Sequence, residues 1–131
     1  LVSVQNEWSP RSRNNEEVRE ICAQYGIAFL PWSPLGGIDN LANLENAHFA
    51  AFEAQALKHG VSRFAIAIAW HLTGSAQSIP IPGATRKESI LDSLTGLSVK
   101  LSAEDLATLN NSLPANPPLH EELVPQPPFR S

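Results

Sequence analysis

Three short apolar segments, each followed by a turn and a helical pattern, most strongly limit the fold that this chain can adopt. The segments cover residues 1–5, 27–30 and 78–81. Each has the length of a buried strand, and each precedes a stretch with apolar residues at helical spacing. Strands that alternate with helices form parallel sheets with the helices outside. We therefore predict an α/β fold with three parallel strands and flanking helices, an arrangement typical of part of a barrel.

The helical patterns carry recognisable start and stop signals. Asn14 with Glu17 predicts a capped helix that runs to about Gln24 and ends at Gly26. The further helices that we expect cover 47–58, 63–72 behind the N-cap Ser62, 86–94 behind the N-cap Thr85, and a last stretch after Ser102 that carries Leu106 and Leu109.

The helix predicted over 63–72 is unusually apolar. Its run Phe64–Trp70 has apolar side chains nearly all round, so we expect it to be packed on more than one side. His71 follows at its end, where a cation would complement the helix dipole. For His71 this structural role is favoured over catalysis.

Composition excludes several classes of protein. With 131 residues, 43% of them hydrophobic, the chain fits one globular domain. A net charge of −4 disfavours general binding to nucleic acids or anionic membranes. No apolar run reaches the length of a membrane span, and no signal-peptide pattern is present. The single Cys22 permits no internal disulfide, suggests no metal site and is expected to be a core thiol, so we predict a cytoplasmic protein.

The two ends of the chain differ from its middle. The chain begins with Leu1, contains no methionine and enters its first strand at once, so we expect it to be a piece of a longer protein. From Pro114 onward the sequence is rich in proline and is predicted to be extended. We therefore divide it into a folded part, 1–113, and a tail, 114–131.

In parallel α/β folds the functional residues lie at the carboxyl ends of the strands. The loops expected there contain Gln5–Trp8, Trp32–Gly36 and Gly83–Arg86, which are the unusual residues of this chain. We therefore expect these three loops to gather on one face and to form the functional site.

The third loop has the features of a phosphate site. A helix N-terminus attracts anions, and Gly83 allows a ligand to approach the backbone closely. Thr85 and Glu88 have the spacing of a capping box. Arg86 and Lys87 repel the helix dipole unless an anion joins them. From the residues alone, a phosphate site and a solvated turn with surface cations both remain open.

Three motifs together resemble the C-terminal part of an aldo-keto reductase. They are Val2–Trp8, Gly26–Gly36 and Ile79–Arg86, and their order and spacing match that family over about residues 2–113. The resemblance implies a (β/α)8 barrel that reduces aldehydes and ketones with NADPH. The three predicted strands would be its sixth, seventh and eighth, and NADP is expected in preference to NAD.

The resemblance also implies roles for individual residues at the nicotinamide end. Gln5 matches the glutamine that hydrogen-bonds the nicotinamide carboxamide, and Trp32 matches the aromatic residue that stacks on the ring. Stacking of flat π-systems selects one face for hydride transfer. Ser33 and Leu35 match the segment that lies along the pyrophosphate.

At the adenosine end, the resemblance places the segment 83–86 around the 2′-phosphate, with Arg86 as the best anion partner. Asp92 and Ser93 match positions near the adenine. Ser89 stands where many members of the family carry an arginine on the phosphate. The residues of the phosphate segment are Gly83, Ala84, Thr85 and Arg86.

The family's catalytic tetrad of Asp, Tyr, Lys and His has no counterpart in this chain, so no catalytic residue is assigned and no metal site is expected. Tyr25, the only tyrosine, ends a helix at the wrong end of a strand to donate a proton. The favoured interpretation is the cofactor-binding part of an NADP-dependent carbonyl reductase, whose partners are a small carbonyl substrate and the missing half of the barrel. The alternatives are a non-catalytic cofactor-binding or interaction module and, less favoured, a self-associating half-barrel.

Overall fold

The computed structural model describes residues 1–36 and 49–113. Residues 47 and 48, where the second helix was expected to begin, and the proline-rich tail 114–131 lie outside the described residues. In chain order the elements are β1 (Ser3–Glu7), α1 (Glu16–Tyr25), β2 (Ala28–Trp32), α2 (Ala50–His59), α3 (Arg63–Gly74), α4 (Lys87–Thr95), a 3-10 turn (Gly96–Ser98) and α5 (Ala103–Ser112).

The two strands form a parallel sheet, as the strand–helix alternation predicts. Their register runs from Ser3 opposite Ala28 to Glu7 opposite Trp32. β2 continues through Pro31, whereas the sequence predicted that proline would end it at residue 30. Proline is tolerated because neighbouring residues in a strand bond to opposite sides, and β1 is bonded by the residues on either side of Pro31.

The third predicted strand, 78–81, is not formed as a strand. The segment follows β2, and the Ile79 and Ile81 amides donate to the carbonyls of Phe29 at 2.8 Å and Pro31 at 3.1 Å. Only one bridge results, between Phe29 and Ser78. Pro31 has no N–H to return the next hydrogen bond, so the ladder stops. The prediction of three strands is therefore wrong for the described residues, which contain a two-stranded sheet.

Helix α1 begins one residue later than the predicted cap allows. Asn15 occupies the N-cap position, without a capping hydrogen bond from its side chain, so the prediction that Asn14 is the N-cap is wrong. The Asn15 side chain instead donates to the Glu7 carbonyl at 3.0 Å and accepts from Asn6 at 3.2 Å. These bonds tie the start of α1 to the end of β1. Gly26 ends the helix in the left-handed region at φ 65°, as predicted.

Helix α3 forms the centre of the core. Ser62 caps it by accepting from the Ala65 amide at 3.0 Å, and every residue from Ala65 to His71 is buried. α2 packs on one side of it, while α4 and the 3-10 turn pack on another, so the prediction of several packed sides is confirmed. The fully buried side chains include Phe29, Phe52, Ile66 and Leu109.

Helix α5 is joined to α2 through one buried carboxylate. Asp105 forms the predicted capping box with Ser102. It also accepts from Lys58 Nζ at 2.6 Å and contacts His59 Nε2 at 3.2 Å. The hydrogen bond from Lys58, followed by that from the Ser102 amide, holds the pKa of Asp105 well below its usual range. Within residues 1–36 and 49–113, no helix combines the length and apolar character that crossing a membrane requires.

Candidate functional site

A cleft of about 450 Å³ lies where the loop after β2, the start of α3 and the first turns of α4 meet. It contains charged and polar groups beside the apolar side chains of Leu35 and Phe64. The lining residues are Leu35, Ser62, Phe64, Gly83, Arg86, Glu88, Ser89, Asp92 and Ser93. The cleft therefore joins the second and third loops that the sequence singled out.

Arg86 stands at the N-cap position of α4, so the prediction that Thr85 caps this helix is wrong. No side chain accepts from the first-turn amides, and the capping box of Thr85 with Glu88 is not formed. The Arg86 side chain is exposed, and among the described residues it makes neither an ion pair nor a hydrogen bond. The uncapped amides and the guanidinium are thus available to an anion in the cleft.

Asp92 is held in the cleft by Ser62. Ser62 Oγ donates to Asp92 Oδ2 at 2.6 Å while it accepts from the Ala65 amide at 3.0 Å. One hydroxyl therefore caps α3 and orients a carboxylate of α4. This leaves Asp92 Oδ1 without a hydrogen bond from the described residues, and it can accept from a ligand amine.

Gly83 leaves open space at the wall of the cleft. A Cβ built at this position would meet no atom within 4 Å. Packing against the described residues therefore does not require glycine here, and the backbone is accessible to a ligand. The close approach of a ligand at Gly83 stays a prediction.

Gln5 and Trp32 lie outside the cleft, on the opposite face of the sheet from Phe29. Side chains alternate between faces, and the register pairs Gln5 with Leu30 and Glu7 with Trp32. Gln5, Leu30 and Trp32 therefore share one face, while Phe29 points into the core. The two residues expected at the nicotinamide are thus brought to the same face of neighbouring strands.

The loop after β2 has a strained backbone. Ser33 adopts φ 48°, a left-handed conformation that non-glycine residues rarely occupy. The Gly36 amide donates to the Ser33 carbonyl at 2.8 Å and closes a tight turn. Between them, Pro34 is fully buried, and its carbonyl lies 2.8 Å from His71 Nε2. The loop therefore has a defined shape that connects the sheet face of Trp32 to the cleft at Leu35.

His71 does not have the cationic role that the sequence predicted. It is 2% exposed, and burial lowers its pKa from 6.5 to about 4. A neutral imidazole cannot complement a helix dipole by charge. Its structural role, a hydrogen bond between α3 and the loop after β2, was not visible in the sequence because it joins residues 37 positions apart.

The structure separates the ten predicted cofactor residues into groups. Ala84 lines a second pocket of about 290 Å³, which is apolar, while Ser93 borders both pockets. Thr85 is exposed before α4. The predicted residues that the cleft brings together are Leu35, Gly83, Arg86, Asp92 and Ser93.

Four lining residues were not predicted as site residues: Ser62, Phe64, Glu88 and Ser89. For Ser62 the sequence predicts only the N-cap of α3. Its second hydrogen bond, to Asp92, spans 30 residues. No local pattern predicts such a long-range contact, whereas Glu88 follows from its place beside Arg86, and the family resemblance already places Ser89 at a position near the phosphate.

Comparison with known proteins agrees with the fold and the motifs. The chain matches the profile of the Aldo/keto reductase family over residues 1–113. It is 34% identical over 112 residues to an uncharacterized oxidoreductase of Schizosaccharomyces pombe, covering 84% of this chain and 34% of that protein. It is 30% identical over 110 residues to pyridoxine 4-dehydrogenase of Escherichia coli, covering 84% of this chain and 36% of that enzyme.

Solved structures share the fold. A thermostable aldo-keto reductase, Tm1743, in complex with the inhibitor epalrestat superposes with a TM-score of 0.76 at 26% identity, over 86% of this chain and 40% of that one. A point mutant of Gox0644 in complex with NADPH superposes with a TM-score of 0.71 at 21% identity, over 90% of this chain and 40% of that one.

The chain spans 34 to 40% of the length of three curated relatives that it matches. The family profile nevertheless covers the whole described part of the chain and all three loops from which the site is built. The chain therefore belongs to the aldo/keto reductase family.

Proposed function

We propose that this chain carries the cofactor-binding part of an NADP-dependent carbonyl reductase. β1, β2 and the segment 78–81 would supply the sixth to eighth strand positions of the barrel. The observation that carries the proposal is the cleft in which Arg86, the uncapped first turn of α4 and the oriented Asp92 meet. A phosphate beside an amine-bearing base matches these three groups, because each supplies the complementary charge or hydrogen bond.

The residues present fit a dinucleotide in two parts. Arg86 and the α4 amides would hold the adenosine 2′-phosphate, and Asp92 with Ser93 would face the adenine. The loop Ser33–Leu35 would follow the pyrophosphate toward the sheet, where Gln5 would bind the carboxamide and Trp32 would stack on the ring. Gly83, Ala84 and Thr85 complete the predicted phosphate segment, with Gly83 at the wall of the cleft.

NADPH, when bound, supplies the hydride that reduces a carbonyl carbon to an alcohol. This chain's contribution is to bind and orient: Trp32 would fix which face of the ring is exposed, and Gln5 would fix its rotation. The proton for the carbonyl oxygen would come from outside residues 1–131. Tyr25 is 70% exposed at the end of α1, just before β2 begins, whereas Trp32 lies at the opposite end of β2.

A second candidate is a cofactor-binding module without catalysis. It is favoured by one feature, since no residue of this chain matches the family's catalytic tetrad. Reading the coding sequence upstream of Leu1 separates the two candidates. Strands that carry Asp, Tyr, Lys and His support the reductase, whereas a start codon directly before Leu1 supports the module.

Three further predictions belong to the same proposal. The folded unit would be 1–113, followed by the tail 114–131. The partners would be a small carbonyl substrate and the remaining part of the barrel. A cytoplasmic location is proposed from the single cysteine, which offers no internal disulfide for an oxidising compartment.

The test is the substitution Arg86→Ala, measured with NADPH and NADH by isothermal titration calorimetry. Only NADPH carries the 2′-phosphate, and a hydrogen bond to a charged group is worth about 1.5–3 kcal/mol. NADPH should therefore bind about 10- to 100-fold more weakly. NADH should change by less than about threefold. Lys100→Ala, which removes an exposed cation from the connector before α5, is the matched control and should change neither affinity. Equal weakening of NADPH and NADH would remove Arg86 from this role.

A further inference from the structure

His71 occupies a position from which it can fix the shape of the loop after β2. It lies in the last turns of α3 and is 2% exposed, with Nε2 2.8 Å from the Pro34 carbonyl oxygen. A carbonyl oxygen only accepts hydrogen bonds, so Nε2 carries the proton in this contact. The imidazole therefore donates from the helix core to the centre of the loop.

The strained backbone of this loop must be held in place by contacts with other elements of the protein. Ser33, next to Pro34, adopts φ 48°, a left-handed conformation that is unfavourable for a residue with a side chain. Conformations of this kind persist where their surroundings determine them. Pro34 itself has no N–H with which to anchor the loop. The hydrogen bond from His71 to the Pro34 carbonyl therefore acts at the Pro34–Leu35 peptide, one residue beyond the strained Ser33.

The same loop carries residues expected at the cofactor. Ser33 and Leu35 flank Pro34, and Leu35 lines the cleft together with Arg86. A shift at Pro34 would therefore move both residues that are proposed to face the pyrophosphate. His71 does not line this cleft, so its effect on a ligand there would pass through the loop.

We propose that His71 is a positioning residue that holds the loop Trp32–Gly36 in the shape that receives the cofactor's pyrophosphate. This inference rests on the proposed function for its ligand, and on the contact with Pro34 for its mechanism. It assigns to a buried histidine of α3 a role in cofactor affinity without direct contact with the cofactor.

The test uses His71→Leu, which removes the donor, and His71→Gln, which keeps an N–H at a similar reach. The first readout is the hydrogen-exchange rate of the Gly36 amide, which closes the turn on Ser33 at 2.8 Å. It is measured by NMR without any cofactor. Exchange should be about fivefold faster in His71→Leu and within about twofold of the wild type in His71→Gln, since a net hydrogen bond is worth about 1 kcal/mol.

The second readout is the NADPH dissociation constant by calorimetry, which should rise about fivefold or more in His71→Leu and be restored in His71→Gln. His59→Leu is the matched control. It loses the contact of a half-buried histidine at the end of α2 with Asp105 of α5, and not a contact with the loop. It should lower stability and leave both readouts unchanged.

The outcomes separate this inference from the proposed function. If the Gly36 exchange rate in His71→Leu equals that of the wild type, the positioning role is overturned, irrespective of the NADPH dissociation constant. Equal losses in His71→Leu, His71→Gln and His59→Leu also overturn it, because they mark general destabilisation. If Gly36 exchange is faster only in His71→Leu, the control of the loop by His71 is supported. If the wild-type chain at the same time binds no NADPH, the proposed function is overturned.

Discussion

At the scale of single residues, His71 shows how burial replaces one role by another. The sequence places a histidine at the end of a helix, where a charged imidazole is favourable. The fold buries that ring between Trp70, whose ring centroid is 5.0 Å away, and the Pro34 carbonyl. Desolvation lowers its pKa to about 4, the Pro34 hydrogen bond acts in the opposite direction, and the Arg19 charge adds a smaller lowering. The ring is therefore neutral near pH 7.

The lowered pKa of His71 predicts a loss of stability in acid. The unfolded chain binds a proton below about 6.5, whereas the folded chain resists it until about 4, so protons favour unfolding between these values. Each pKa unit corresponds to about 1.36 kcal/mol, which gives a loss of about 2–3 kcal/mol from pH 7 to pH 4.5.

Urea unfolding at both pH values measures this loss. His71→Gln has no group that titrates in this range, so it serves as the control and should lose about 2–3 kcal/mol less than the wild type over the same interval. An identical loss in both proteins would show that other groups, such as carboxylates, account for the acid sensitivity.

At the scale of elements, the 3-10 turn after α4 is fitted closely against α3. Gly96 begins this turn with an ordinary helical φ, so its backbone does not require glycine. The limited space at this position requires glycine, because a Cβ would lie 2.7 Å from the Ala65 carbonyl oxygen and 2.8 Å from Ile68 Cβ. Both neighbours belong to the buried centre of α3 and cannot swing aside.

Gly96→Ala should therefore separate α3 from the turn and destabilise the protein by about 1–3 kcal/mol, as overpacking typically does. Gly83→Ala is the matched control, because its Cβ meets nothing within 4 Å. Its effect should stay within about 0.5 kcal/mol. Thermal or urea unfolding of the two variants gives the comparison. Equal stability of Gly96→Ala and the wild type would contradict the close packing described here.

The elements also show which features a sequence can reveal. Local signals succeeded: Gly26 ends α1, Ser62 caps α3, and Ser102 with Asp105 forms a capping box. The incorrect predictions concern features that depend on contacts with other parts of the chain. Thr85 has capping-box spacing, yet α4 begins after Arg86.

The third strand and the site depend on distant partners in the same way. The strand was lost because Pro31, on the neighbouring strand, has no N–H to donate. Within the candidate site, Arg86 and Gly83 could be predicted from the sequence of the loop that contains them. The Ser62–Asp92 and His71–Pro34 contacts join residues 30 and 37 positions apart, and the residues between them carry no sign of either.

At the scale of the whole molecule, the described residues divide into a buried and an open side. One face of the sheet packs on the helices through Phe29, while the other carries Gln5, Leu30 and Trp32. Apolar side chains are also exposed on the segment after α3 and on α4, including Ile79, Ile90 and Leu94. The proposed cofactor would lie across the boundary, from the α4 cleft to the open face of the sheet.

Titration of the chain with NADPH, followed by tryptophan fluorescence, tests the binding of the cofactor most directly. The chain contains three tryptophans, and Trp8 and Trp70 are 3% and 6% exposed and stacked on each other, whereas Trp32 lies on the open face. A nicotinamide stacked on Trp32 should quench its emission in a saturable way. The fraction of emission that is quenched should fall sharply in Trp32→Phe, in which Trp8 and Trp70 remain. A wild-type signal that stays unchanged at saturating NADPH, or equal fractional quenching in Trp32→Phe, would contradict the proposed site.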